Sequence, residues 1–297
     1  MTLLDRLRRF PDRDSWLAAR RSGVGSSDAA AILGLSTWHS PFSLWCEKVG
    51  LIEPNPPTEW TEWGSRLEPL IVDRLSVETG VPYMRQEHTI VTHAEHPTLF
   101  CTPDALTVNE DGEIVFGYYA AEVKNVSAYK RADWDEGAPL IYECQVQHAM
   151  DCMGLAEMHV GALFGGNEFL WTTVERDDGW IEMVRPVLLD FARRVAEEDP
   201  PEVGADDARA LAEMYDAPVA ESVSLDGGGL PLTWRYHAIS DSVKRRKRLM
   251  DEIKNDIRSR MGNAEIGVLP DGRRWTWKPT KKGTRVLRAP GKEESDG

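Results

Sequence analysis

The segment TPDALTVNEDGEIVFGYYAAEVKNVS, residues 102–127, decides the fold. Two short runs rich in β-branched and aromatic residues, LFCTPDALTV and EIVFGYYAAEVKNVS, flank the turn signal EDGE at 110–113, which predicts adjacent strands. Within the second strand Glu122 and Lys124 alternate, so their side chains project from one face. Asp104 stands near a turn in the first strand, and the hairpin can bring it alongside them. Tyr118, Tyr119, Ala120, Ala121, Val123 and Val126 make the second strand apolar on both faces in places. A solvated Glu–Lys pair on an edge strand is the alternative. Charges buried in such a strand need a partner or a metal to offset the cost of leaving water.

Working outward, the preceding segments read as helices. SWLAARRSGVGSSDAAAILG (15–34) forms two around a tight turn, punctuated by Gly23 and Gly25. SPFSLWCEKVG (40–50) is a third, with Ser40 as cap and Pro41 just inside. LIEPNPPTEW is a proline-rich loop. TEWGSRLEPLIVDRLSVETG (61–80) places Leu67, Leu70, Ile71, Leu75 and Val77 at largely helical spacing and stops at Gly80. HTIVTH adds another strand before the segment. PLIYECQVQHAMDCMG then reads as a buried helix, and MHVGALFG and EFLWTTVE as strands separated by the Gly-Gly-Asn turn at 165–167. DGWIEMVRPVLLDFARRVAEE is an amphipathic helix ending before Pro200–Pro201.

The order of helices, an antiparallel-looking meander, a helix, two strands and a helix predicts an α/β (α+β) sheet domain. The expected division is a core over 1–220, a linker over 221–233, a basic helix plus hairpin over 234–288 and a disordered tail over 289–297. The long helix carries a narrow stripe of Ile239, Val243, Met250, Ile253, Ile257 and Met261, interrupted at Arg246. That stripe is expected to pack on the chain's own body, with packing between subunits as the alternative.

Composition bounds the function. Hydrophobic residues make up 41% and charged residues 28% of the 297, which predicts a globular core. No apolar run is long enough for a membrane span and the N-terminus lacks a signal-peptide pattern, so a cytoplasmic location and no membrane partner are expected. Cys46, Cys101, Cys144 and Cys152 lack the spacing of a zinc or iron–sulfur site and read as reduced thiols. The net charge of −14 is unevenly spread: residues 234–297 carry 17 Lys+Arg against 9 Asp+Glu, while residues 1–233 carry 18 against 40. A basic tail on an acidic body predicts local contact with an anionic polymer; a solvated helix face at 245–248 is the alternative. Two carboxylates and an amine converging at Asp104, Glu122 and Lys124 suit a hard cation such as Mg²⁺ acting on a phosphate. Lys124 could hold the attacking water or stabilise phosphate charge. Glu68, on the helix ending at Gly80, is a further candidate carboxylate. The tryptophans at 38, 45, 60 and 63 are expected to pack rather than stack on bases, and His148 to be a satisfied core histidine.

RRSGVGSSDAAAILGLSTWHSPFSLWCEKVG, WGSRLEPLIVDRL, TPDAL with AEVKN, and ECQVQHAM together resemble the YqaJ-type viral recombinases. These are similar to phage lambda exonuclease within the PD-(D/E)XK nuclease superfamily. The resemblance spreads over roughly residues 16–165 and implies a restriction-endonuclease-like mixed central sheet flanked by helices. It also implies that Asp104, Glu122, the carbonyl of Val123 and Glu68 bind Mg²⁺ or Mn²⁺, and that Lys124 is catalytic. Gln145 and Gln147 match a glutamine motif, although Ala149 stands where tyrosine is common. Arg20 and Ser27 match a 5′-phosphate grip, with Arg21 as the adjacent alternative; a guanidinium fork suits phosphate. The implied activity is 5′-to-3′ hydrolysis of linear double-stranded DNA, leaving 3′ single strands for an annealing protein, by a homo-oligomeric ring such as a trimer. An endonuclease or structure-specific nuclease of the same superfamily, and a non-catalytic DNA-binding scaffold, are the alternatives.

Overall fold

The computed structural model describes residues 3–115, 119–217, 219–225 and 227–291, which fall in two units spanning 1–218 and 219–297. The first unit opens with α1 (Leu3–Arg6), β1 (Leu7–Arg9) and α2 (Arg13–Arg21), whose first turn is capped by the Asp12 carboxylate accepting from the Ser15 amide. The second helix expected near residues 26–32 begins as a 3₁₀ turn at Ser26–Asp28 and continues as the short α3 (Ala29–Ile32). Helix α4 (Pro41–Val49) has the expected Ser40 cap, with the Ser40 hydroxyl accepting from the Ser43 amide, and ends at left-handed Gly50. Helix α5 (Glu59–Thr79) starts at Thr58 and ends at Gly80, whose φ of +71° suits the residue without a Cβ. Pro69 lies inside α5, directly after Glu68.

The strands that follow are β2 (Tyr83–Arg85), β3 (Thr89–Thr92), β4 (Phe100–Cys101), β5 (Ala105–Thr107) and β6 (Ala120–Val126). The expected single meander is divided between two sheets. β3 and β4 join β1 in a three-stranded sheet, while β2 and β5 pair with β6 in a five-stranded sheet of order β2-β5-β6-β7-β8. Two local causes divide it. Pro103, between β4 and β5, has no amide to continue a ladder. The Gly23–Gly25 segment takes β4's free side: the Val24 amide donates to Thr98 O at 2.8 Å, and the Phe100 amide to Val24 O at 2.9 Å. A Cβ on Gly23 would stand 2.2 Å from Thr98 O, so only glycine permits this approach. The turn at 110–113 is present, closed by the Asn109 amide donating to Glu113 O at 2.9 Å. Phe116, Gly117 and Tyr118 of the predicted second strand lie outside the described residues.

Helix α6 (Leu140–Met153) follows a 3₁₀ turn at Ala128–Trp134 and connects β6 to β7 (Glu157–Phe164), its parallel neighbour. β8 (Glu168–Glu175), α7 (Asp178–Ala196) and α8 (Ala208–Met214) complete the unit; α8 lies where the sequence showed no helix signal. Strand β6 thus sits at the centre of a mixed sheet, with cores on both faces. Ala120, Val126, Val160, Ala162 and Phe164 pack with α6 residues Val146, Ala149 and Met150. Ala121 and Val123 face Ile71, Val72 and Leu75 of α5. Truncating fully buried Leu75 to alanine would cost about 2–5 kcal/mol. The mixed sheet flanked by helices agrees with the expected fold class.

The second unit contains α9 (Gly229–Met261), β9 (Ile266–Val268), β10 (Arg274–Pro279) and β11 (Arg285–Arg288). Helix α9 begins within the stretch expected to be a linker, and the expected hairpin has a third strand, in the order β11-β10-β9. Within this unit no described residue of α9 is buried. Of the tail expected at 289–297, residues 292–297 lie outside the described residues. Among the described residues no helix is long and apolar enough to cross a membrane.

Candidate active site

Glu122 and Lys124 project from β6 toward α6, on the face whose flanking positions are Ala120 and Val126. The edge-strand alternative is therefore excluded by the position of β6. Glu122 is only 3% exposed. Its Oε1 accepts from Lys124 Nζ in a short ion pair and from Gln145 Nε2 at 2.6 Å. Lys124 Nζ also donates to Gln145 Oε1 at 3.3 Å and lies 5.2 Å from the centre of the Tyr142 ring. Gln145, one turn into α6, thus clasps both charged groups through its two amide ends.

Asp104 reaches the cluster from the start of β5. Its Oδ2 accepts the Val123 amide at 2.8 Å, so the side chain extends the β5–β6 ladder beyond the Ala105–Ala121 pair. The Gln86 amide donates to Asp104 O at 2.7 Å and fixes the backbone on the other side. Glu68 comes from α5, and its Oε1 accepts Arg85 Nε at 2.7 Å. The Val123 carbonyl belongs to the same strand segment, between Glu122 and Lys124.

The electrostatics are those of crowded carboxylates. Burial pushes Asp104 well above the usual carboxylate range, and neighbouring Glu122 and Glu68 push it further against the pull of Lys124. Burial also raises Glu68, partly opposed by Arg85. Lys124 is half-buried, which disfavours its charge, but Glu122 and Asp104 outweigh this and hold it protonated. The Lys124 ammonium and the Arg85 guanidinium against three carboxylates still leave an excess of negative charge that a hard cation would offset, so the oxygen donor set fits Mg²⁺ or Mn²⁺. Among the described residues no three acidic, histidine or cysteine side chains already stand in ligand positions, so a bound ion would need water or substrate oxygens as well.

A second constellation lies at the end of α2. Arg20 NH2 donates to Ser27 Oγ at 2.7 Å, and its guanidinium stacks 4.6 Å from the Trp16 ring centre. Arg20, rather than Arg21, makes the serine contact. Beneath it lie two residues that the sequence reading missed. Lys48 Nζ donates to Gly23 O at 2.7 Å and Arg20 O at 3.1 Å, and pairs with Asp28 Oδ2 at 2.7 Å. Asp28 also accepts the Gly25 amide at 2.8 Å. Burial opposes ionisation of Asp28, but Lys48 and Arg20 overcome it and hold its pKa below the usual value. The only sequence signal was a lysine following an apolar run on α4.

Gln147 does not join the site. Its Nε2 donates to Glu175 O at 2.7 Å and its Oε1 accepts the Asp177 amide at 2.9 Å, tying α6 to the β8–α7 corner. Residues two apart on a helix point about 200° apart, so Gln145 and Gln147 cannot share one site. His148 is buried, with Nε2 3.1 Å from Phe100 O, as expected of a core histidine. Trp45 is buried, but Trp38, Trp60 and Trp63 are exposed, contrary to the packing expected of them. The four cysteines are free and buried.

The five-stranded mixed sheet, with Glu122 and Lys124 on its central strand and Asp104 at the start of the neighbouring one, has the fold of a solved exonuclease. An alkaline exonuclease from Laribacter hongkongensis is similar at 19% identity and a TM-score of 0.50, over 63% of this chain and 94% of that one. Its structure in complex with dAMP gives 20% identity and a TM-score of 0.52. The YqaJ-like viral recombinase domain matches residues 15–156, and the YqaJ protein of Bacillus subtilis (strain 168) is 30% identical over 90% of this chain and 83% of its own length. The chain belongs to the YqaJ-like viral recombinase family.

Proposed function

We propose that the chain is a metal-dependent DNA exonuclease that degrades linear duplex from the 5′ end and leaves a 3′ single strand. The observation that carries this reading is the Asp104–Glu122–Lys124 cluster, formed between the start of β5 and β6 around buried Glu122 and clasped by Gln145. Asp104, Glu122, Glu68 and the Val123 carbonyl would hold Mg²⁺ or Mn²⁺. When bound, such an ion polarises a phosphoryl oxygen and lowers the pKa of its water. Lys124, kept protonated by its neighbours, orients the attacking water and stabilises the charge that develops on the phosphate. Gln145 fixes the Lys124 amine and the Glu122 carboxylate relative to each other. Arg20 and Ser27 offer a guanidinium and a hydroxyl to a terminal 5′-phosphate, with the Arg20 backbone fixed by Lys48. The family resemblance and the likeness to an alkaline exonuclease support this direction of reading. The proposal includes a single-strand annealing protein as partner for the product and a homo-oligomeric ring, such as a trimer, around the duplex.

The test uses end-labelled linear duplex and closed circular duplex, each with Mg²⁺, Mn²⁺, Ca²⁺ or excess chelator. The proposal expects loss of the linear form alone, with Mg²⁺ or Mn²⁺ only. Cutting of the circle would make the protein an endonuclease of the same superfamily. Binding without cutting would make it a scaffold, and cutting in chelator would remove the metal.

A further inference from the structure

Arg20 and Ser27 stand apart in sequence, one at the end of α2 and the other in the 3₁₀ turn that follows, yet they meet at 2.7 Å. One buried ammonium accounts for the meeting. A lysine has three protons to donate, and Lys48 Nζ has three acceptors within reach. Arg20 O at 3.1 Å holds the end of α2, Gly23 O at 2.7 Å holds the connecting strap, and Asp28 Oδ2 at 2.7 Å holds the turn that carries Ser27. Asp28 closes that turn by accepting the Gly25 amide at 2.8 Å. On its other side the strap presses on β4: a Cβ on Gly23 would stand 2.2 Å from Thr98 O, and one on Gly25 2.9 Å from the Phe100 ring. The chain between Arg20 and Ser27 is therefore clamped between α4 and β4.

Lys48 cannot serve the phosphate directly. The Lys48 and Asp28 side chains are only 6% and 11% exposed, and the three protons of the ammonium are taken. Stability alone does not call for an ion pair here, because a well-packed uncharged pair of similar volume is often as stable or more so. What Lys48 adds is direction. Its acceptors lie on the three pieces of chain that set where Arg20 and Ser27 point.

We propose that Lys48, anchored by Asp28, is the positioning residue for end recognition: it aligns the Arg20 guanidinium with the Ser27 hydroxyl so that both meet a terminal phosphate monoester, an assignment that rests on reading Arg20 and Ser27 as the 5′-phosphate contact. Preference for that group over a 5′-hydroxyl depends on the alignment.

Charge and geometry separate in one double variant. Lys48→Met alone leaves the Asp28 carboxylate buried and within electrostatic reach of Arg20, where it opposes a phosphate monoester of about two negative charges. Both stability and phosphate binding then fall. Adding Asp28→Asn takes away that carboxylate. One positive and one negative charge are gone, so the net charge beside Arg20 is that of the wild type and only the pin is missing.

The experiment measures anisotropy of a labelled linear duplex, with a 5′-phosphate or a 5′-hydroxyl, bound to the full chain in Ca²⁺, where the proposed reaction does not proceed. The ratio of the two affinities is the end preference, and a denaturant midpoint gives stability. The wild type is expected to prefer the phosphate by about tenfold, and Arg20→Ala to lose that preference. The Lys48→Met/Asp28→Asn variant is expected to recover most of the midpoint lost by Lys48→Met, yet to bind the two ends alike to within about twofold. A double variant with the wild-type preference would overturn the positioning role and leave the Arg20 contact standing. A wild type without preference, or an Arg20→Ala variant that keeps it, would overturn the 5′-phosphate reading and the role of Lys48 with it.

Discussion

The Asp104 carboxylate accepts the backbone amide of Val123 at 2.8 Å, where the antiparallel pairing of β5 with β6 gives out. A side chain thus replaces a strand partner. This places Asp104 beside Glu122 on the next strand and couples the acid cluster to the sheet itself. The same hydrogen bond cannot fully offset the cost of holding a buried carboxylate next to two others.

A buried carboxylate with a raised pKa opposes folding once it ionises. Its unfavourable contribution is absent below the unfolded value of about 3.9 and grows as pH rises toward the raised folded value. Asp104→Asn is therefore expected to abolish cleavage while raising the thermal midpoint, more at pH 8 than at pH 4, in chelator. Calorimetry of both proteins at the two pH values checks this; equal or lower midpoints for the variant at pH 8 contradict it.

Lys48 and Asp28 behave in the opposite way. Asp28 has a lowered folded pKa, so the pair's contribution is complete above the ordinary aspartate range and is lost as pH falls through the lowered value. Lys48→Met leaves Asp28 buried without its cation, an expected loss of about 3–5 kcal/mol at neutral pH. Adding Asp28→Asn should recover much of that loss. Denaturant titration of the single and double variants measures both; additive losses would show that the two do not act as a pair.

Arg20→Ala is expected to remove the preference for 5′-phosphorylated over 5′-hydroxyl ends, by about tenfold or more, corresponding to a charge-assisted hydrogen-bonded contact. Arg21→Ala is expected to leave that ratio intact. Initial rates on the two substrates decide between them.

The two glutamines separate by function. Gln145→Ala is expected to lower kcat about tenfold or more with little loss of stability, because it holds Glu122 and Lys124. Gln147→Ala is expected to cost about 1–3 kcal/mol of stability by stranding a backbone carbonyl and an amide, with kcat unchanged for the folded fraction. A fall in kcat from the Gln147 variant at matched folding would return it to the site.

Much of the site was legible in sequence because strand alternation and one hairpin fix it locally: Glu122 and Lys124 share a face, and the turn at 110–113 returns the chain past Asp104. Gln145 and Gln147 were grouped by motif, whereas helix geometry sends them to opposite sides. The division of β3–β4 from β5–β6 depends on Gly23–Gly25 docking across more than 70 residues of chain, which no local pattern encodes. Asp28 and Lys48 were silent for the same reason: a buried ion pair between separate elements leaves no periodicity. Periodicity located the stripe of α9, but periodicity reports which residues align and not what covers them.

The central claim is that the Asp104–Glu122–Lys124 cluster cleaves DNA, and Lys124 tests it most directly. Lys124→Ala should be compared with wild type on 5′-phosphorylated, end-labelled linear duplex in Mg²⁺, with folding matched by circular dichroism. The account predicts a fall in the rate of about a hundredfold or more, as expected when charge stabilisation at the reacting phosphate is lost. A variant that degrades the duplex at the wild-type rate would contradict it.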